Sequence, residues 1–324
     1  MTENMLQAKK DFSRFGLALF SIGIITVLVQ VLLGVVWELC LRDSGLGQLE
    51  ITRWIITIAP MYLIAVPAGY WILSKIPAEP AEKQKLSIGR FLLLMLMCIP
   101  VMYIGNYIGS FMSSLLSGGT AENTVIEFAT SNLIYGFIFT VLLAPLMEEF
   151  IFRKQIIDRL GKYGEETAIF FSAITFGLFH MNLFQFFYAF GLGLMFAYVY
   201  TRTRMLRYPV IMHMIINFMG SVLAPILISM LDMDLIEKAA AGDITASEIS
   251  QILLPVLAFY AYLFALLGCV IAGVVLLVLR WNKRVFHGTS CELLWGTDRK
   301  IAYCNLGMIL FFLFCFVMMI LALF

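Results

Sequence analysis

The chain has 324 residues, of which 61% are hydrophobic and only 13% are charged. Soluble domains are roughly 45–50% apolar and about 25% charged, so this excess of apolar residues is too large for the interior of a water-soluble protein. The net charge is +1, which provides no overall attraction to a polyanion, and we expect no nucleic acid partner.

Long apolar segments follow one another along the sequence. A segment of about 17–25 apolar residues crosses a hydrocarbon core about 30 Å thick as a helix, and lipid requires a helix because its backbone groups then bond to one another. The sequence predicts such helices near residues 15–41, 54–74, 91–115, 132–152, 167–181, 184–201, 208–230, 252–279 and 304–324. The expected fold is an all-α, polytopic transmembrane bundle of about eight to nine helices.

The distribution of basic residues tests the predicted order of membrane helices independently, because cytoplasmic loops are enriched in Lys and Arg. With the N-terminus inside, nineteen of the 22 basic residues fall on the inner side, and the outer segments keep only Arg42, Arg53 and Lys238. The polar N-terminal segment is unlike a cleaved signal peptide, so the first apolar segment is expected to remain as an anchor. We therefore expect a multi-pass protein, of a bacterial plasma membrane, with a cytoplasmic N-terminus.

A few polar side chains lie inside the predicted helices, where each ionisable group costs roughly 2.5–3.5 kcal/mol to insert. They are Glu148, Glu149, His180 and His213, and Asn217 shares a helix face with His213 because four positions separate them. Each buried polar group needs a partner, and the cheapest partners are one another. We expect all five side chains to line one site.

The two glutamates are predicted to have different roles, because adjacent helical residues point about 100° apart. Glu149 and Arg153 have the i, i+4 spacing of an ion pair on one helix face. That pair is either a structural salt bridge or a support for a functional site. Pro145 precedes both glutamates and is expected to bend or loosen the helix beside them.

Three spaced motifs carry a family resemblance. EExxxR covers residues 148–153, FxxxH joins Phe176 to His180, and HxxxN joins His213 to Asn217. Together, and in this order, they resemble the motifs of the CAAX protease and bacteriocin-processing (CPBP or Abi) family of intramembrane endopeptidases. That family includes the type II CAAX prenyl proteases.

The resemblance covers roughly residues 130–225 and implies a catalytic core at 131–225. The membrane helices at 1–130 and 226–324 have no assigned role. The implied substrate is a membrane-associated peptide or lipidated protein in the lipid bilayer, either prenylated or related to peptide pheromones and bacteriocins.

Amide hydrolysis needs an activated water, a donor to the developing oxyanion and a proton for the leaving nitrogen. The resemblance implies that Glu148 is the base and that His180 helps to hold and polarise the water. It implies an oxyanion site at His213 and Asn217. The motif residues expected to support this group are Glu149, Arg153 and Phe176.

A zinc site is the competing interpretation, because two histidines and one glutamate are the ligands of several zinc proteases. The candidate ligands are Glu149, His180 and His213. HExxH spacing does not occur here, so the sequence leaves open whether a divalent metal such as zinc is bound or none is.

The length of the helix that carries His180 argues against a site shared with Glu148. The thirteen residues from Ala168 to His180 rise only about 18 Å, which places His180 near the outer end of its helix while Glu148 lies nearer the inner face. Tilt, or an extension of the preceding helix through Leu160, would bring the two side chains level.

Two non-proteolytic functions use the same residues. A transporter or channel would employ the buried Glu and His groups as a proton relay, but it predicts two related halves with broken helices, and no such repeat is evident. A membrane scaffold or bacteriocin-immunity protein would keep the fold for binding alone. The complete set of motif residues argues against that scaffold.

Overall fold

A computed structural model describes residues 2–79, 81–289, 291–293 and 296–324. Within these ranges the secondary structure is helical, without strands. Seven helices are long and apolar enough to cross a membrane, and a bent helix pair raises the number to eight. The protein is therefore a multi-pass integral membrane protein with the all-α fold that the sequence predicts.

The helices are numbered in chain order, with short π-helical or 3-10 stretches included in the longer ones. They are α1 Glu3–Leu41, α2 Glu50–Leu73, α3 Ile88–Ser117, α4 Thr124–Thr130, α5 Leu133–Tyr163, α6 Glu165–Phe179, α7 Leu183–Thr203, α8 Arg207–Ser229, α9 Met233–Ala241, α10 Ala246–Lys283, α11 Thr297–Tyr303 and α12 Leu306–Leu321. The bent pair is α11 with α12, at 66°.

The segment predicted to span the membrane at 167–181 is shorter than a span. It corresponds to α6, whose 15 residues rise about 22 Å, against a hydrocarbon core of about 30 Å. The preceding helix α5 runs through Leu160 to Tyr163, which is one of the two adjustments that the sequence required. The described residues thus contain seven or eight candidate spans, against the eight to nine that the sequence predicts.

Prolines follow widened turns in three helices. The π-helical stretches are Pro60–Ala65, Gly136–Leu143 and Met219–Leu223, and the prolines that follow each by two positions are Pro67, Pro145 and Pro225. A proline has no N–H to donate, and its ring clashes with a carbonyl of the preceding turn. A π-helical turn relieves that clash, so the loosening expected near Pro145 takes this form.

Helices α3 and α7 approach each other closely through two glycines. A methyl group on Gly105 would lie 2.6 Å from the Cα of Tyr188, and one on Gly109 would lie 2.4 Å from the carbonyl oxygen of Phe184. Small residues four apart let two membrane helices bring their backbones together. Helix α7 also packs against α6 and α8, so it holds together the helices that carry the three motifs.

A buried carboxylate attaches α1 to the end of α5. Asp11 is fully buried and accepts hydrogen bonds from the Tyr163 hydroxyl at 2.7 Å and from the Gln7 amide at 2.9 Å. The Lys162 ammonium lies 3.7 Å from the same carboxylate. The N-terminal helix is thus bound to the helix that carries both glutamates of the EExxxR motif.

Candidate active site

Glu149 and Arg153 form a completely buried ion pair on α5. The Glu149 Oε2 atom lies 2.8 Å from Arg153 Nε, and both side chains are 0% exposed. The guanidinium group lies over the Phe176 ring, 4.2 Å from its centroid. Its Nη1 and Nη2 atoms have no hydrogen-bond partner in the described part of the chain. The i, i+4 spacing therefore produces a pair that is fully shielded from the solvent outside the protein.

His213 of α8 reaches both glutamates through opposite ring nitrogens. Its Nδ1 atom lies 2.9 Å from Glu149 Oε1, and its Nε2 atom lies 3.8 Å from Glu148 Oε2. Because a carboxylate only accepts hydrogen bonds, Nδ1 is the donor to Glu149. Adjacent glutamates point about 100° apart, and only Glu149 is in close contact with the imidazole that both of them approach.

His180 lies at the C-terminal end of α6 and is half-buried. Its Nδ1 atom is 2.8 Å from the Phe176 carbonyl oxygen, so Nδ1 donates and Nε2 is the remaining acceptor. The Phe176 ring lies 4.8 Å from the His180 ring and 5.8 Å from the His213 ring, centroid to centroid. Glu148 is near enough to interact with His180 electrostatically. Phe176 therefore separates two histidines that lie on the same side of the bundle.

Asn217 bonds to the backbone of α5. Its Nδ2 atom donates to the Thr140 carbonyl oxygen at 2.9 Å. In the π-helical register of Gly136–Leu143, that carbonyl would accept from the N–H five residues later, and that residue is Pro145, which has none. Asn217 thus satisfies an oxygen that the proline leaves without its helical donor, and it ties α8 to α5 one turn beyond His213.

The structure brings most of the predicted site residues into contact. An ion pair joins Glu149 to Arg153, a hydrogen bond joins it to His213, and a 3.8 Å approach joins His213 to Glu148. His180 lies beside this group across the Phe176 ring. Asn217 contacts Thr140, which uses one of the two N–H donors of its amide.

Each candidate metal ligand already has at least one partner. Both oxygens of Glu149 are occupied, by Arg153 and by His213 Nδ1, and His180 Nδ1 faces a backbone carbonyl. Among the described residues, no group of three or more His, Cys, Asp or Glu side chains is arranged to hold a metal ion. Zinc binding stays a prediction, because a hydrogen bond at Nδ1 is what orients a histidine ligand and leaves its Nε2 atom to face a metal ion.

A second polar network, which the sequence analysis did not single out, lies further along α5. Asp158 accepts from the Tyr200 hydroxyl at 3.0 Å and pairs with Lys154 at 2.8 Å and Arg204 at 3.2 Å. This network joins α5 to α7 below the Glu149 ion pair. The i, i+4 spacing of Lys154 and Asp158 was the one sequence signal for it, and it resembled an ordinary pair in a charged loop.

Comparison with known proteins finds a family to which this part of the chain is similar. Residues 130–219 match the family described as type II CAAX prenyl endopeptidase Rce1-like. The resemblance carried by the three motifs is thereby confirmed for this segment. The chain is also 34% identical, over 80 residues, to the Bacillus subtilis (strain 168) protein named "Putative membrane peptidase YdiL".

That match covers 24% of this chain and 32% of the Bacillus protein, so the chain spans about a third of the length of this curated relative. No solved structure matches the chain. The helices before residue 130 and after residue 219 lie outside the family match.

Proposed function

We propose that this protein is a membrane protease that hydrolyses a peptide bond of a membrane-associated substrate within the bilayer. The observation that carries the proposal is the position of His213 between Glu148 and Glu149, with His180 beside them, inside the segment that matches the CAAX endopeptidase family. Buried ionisable groups of this kind are costly in a membrane and mark functional sites.

Glu148 is the base in this proposal. Its side chain is 19% exposed, whereas Glu149 is fully buried, so a water molecule has access to only the first carboxylate. His180 Nε2, left as an acceptor by the bond from Nδ1, holds the same water. Glu148 takes a proton from this water as the oxygen attacks the substrate carbonyl carbon, and it returns the proton to the amine when the C–N bond breaks.

His213 stabilises the oxyanion. In this role Nδ1–H donates to the Glu149 carboxylate at 2.9 Å, and Nε2–H, which faces the space beside Glu148, donates to the oxyanion. A positioned donor in a water-poor site is worth far more than the same donor in water. Arg153 in turn holds Glu149, so these two residues act through His213.

Asn217 has a positioning role in this proposal, in addition to the oxyanion role that the family resemblance implies. One of its two amide N–H groups donates to the Thr140 carbonyl oxygen. By fixing α8 against α5, it keeps His213 within reach of the two glutamates.

The test is Glu148→Gln, which preserves size and hydrogen bonding while removing the base. Membrane peptides from cells that express the wild-type protein and from cells that express the variant would be compared by mass spectrometry. We expect cleavage products that depend on the wild-type protein and disappear in the variant. Glu38→Gln, at a side chain that is 52% exposed, is the matched control and should cleave normally.

Full turnover by Glu148→Gln would contradict the mechanism. No cleavage product from the folded wild-type protein would contradict the activity itself and favour the membrane scaffold. The substrate is proposed only as a class, a membrane-associated peptide or lipidated protein.

A further inference from the structure

A large cavity lies away from the candidate active site, between α3, α6, α7 and the end of α10. Its volume is about 990 Å³, at the upper end of the roughly 300–1,000 Å³ of small-molecule sites. The residues of the three motifs do not line it. The cavity is therefore separate from the groups that we assign to catalysis.

One end of the cavity is strongly basic. Seven Lys and Arg residues and three Glu residues line it. Arg202 pairs with Glu165, and Arg204 pairs with Asp158. Other cations of the rim, Lys85, Arg90, Arg280, Lys283 and Arg284, form no ion pair with a carboxylate of the described residues. This rim attracts an anion.

The rest of the cavity is apolar and has the depth of one membrane leaflet. Helix α3 lines it from Arg90 to Val101, and the antiparallel helix α7 lines it from Arg202 to Gly191. Each of these segments rises about 16 Å, which is half of a hydrocarbon core about 30 Å thick. Apolar side chains such as Leu94 cover the walls between these ends.

We propose that this cavity binds an anionic phospholipid. The headgroup phosphate lies against the Arg90 and Arg280 guanidinium groups, and an acyl chain extends along the apolar walls of α3 and α7. Charge complementarity selects the headgroup, because basic pockets between membrane helices bind anionic lipid headgroups. The apolar part of the cavity is as deep as one membrane leaflet, so it fits the acyl chain of a lipid, which a small soluble anion does not have. The site is independent of the proposed proteolytic function.

Native mass spectrometry of the purified full-length protein tests this site. The protein would be incubated with equal amounts of phosphatidylglycerol and phosphatidylcholine that carry the same acyl chains. We expect phosphatidylglycerol to be retained preferentially. The double variant Arg90→Gln/Arg280→Gln should lose that preference by roughly 25-fold, because each basic residue near the headgroup contributes a factor of about five.

The matched control is Lys9→Gln/Lys10→Gln, which removes two exposed cations of α1 that do not line the cavity. It should retain the wild-type preference. Leu94→Trp, which fills the apolar part, should weaken retention of both lipids, with size-exclusion elution as the measure of folding. Excess glycerol 3-phosphate should not displace the lipid.

Equal retention of the two lipids by the wild-type protein would overturn the proposal and indicate only annular lipid. Equal loss of preference in the two double variants would overturn it as well, since the effect would then be one of net charge. Displacement by glycerol 3-phosphate would identify a soluble-anion site in place of a phospholipid site.

Discussion

Glu149→Gln removes the charge that compensates a fully buried guanidinium group. Arg153 is 0% exposed and its Nε atom lies 2.8 Å from the Glu149 carboxylate, so no solvent can take over that role. Breaking a buried pair on one side costs about 3–5 kcal/mol. The glutamine amide oxygen can still accept from His213 Nδ1, so the lost charge dominates the effect. We expect the free energy of unfolding to fall by about 3–5 kcal/mol.

The measurement is a denaturing-detergent titration of the purified protein in mixed micelles. Glu148→Gln is the matched control, because the same chemical change at a partly exposed position should cost less than about 1 kcal/mol. The double variant Glu149→Gln/Arg153→Met removes the uncompensated charge and should recover most of the lost stability. The ion-pair reasoning would be refuted if Glu149→Gln were as stable as the wild-type protein. It would also be refuted if the double variant were no more stable than Glu149→Gln.

Three further predictions concern helix contacts and topology. Asn217→Ala leaves an α5 carbonyl without its donor and should lower the free energy of unfolding by about 1–3 kcal/mol. Turnover should fall as well, because His213 is then no longer held beside the two glutamates. Unchanged stability and turnover would contradict the positioning role. Gly109→Ala places a methyl group 2.4 Å from backbone and should lower the unfolding midpoint by the equivalent of about 1–3 kcal/mol, whereas Gly89→Ala, where nothing lies within 4 Å, should not lower it. Cysteines introduced beside Glu148 and His213 should react with an impermeant thiol reagent in inverted vesicles and be protected in intact cells; labelling only from outside would reverse the predicted orientation.

The sequence was sufficient for the fold class and for the composition of the candidate site. Helices follow from apolar length alone, since a backbone in lipid has no other way to satisfy its polar groups. The Glu149–Arg153 pair follows from local geometry, because residues four apart meet on one helix face. These are properties of single helices, and they do not depend on what packs against them.

The tertiary structure alone decided how the helices share their polar groups. The bond between His213 and Glu149 spans 64 residues of sequence, and the bond between Asn217 and Thr140 spans 77. Neither partner can be chosen from spacing, because the crossing of α8 over α5 sets which atoms meet. The same holds for the basic cavity, whose walls come from helices distant in the chain. The sequence determined which polar groups of the three motifs lie inside apolar helices, and packing determined their partners.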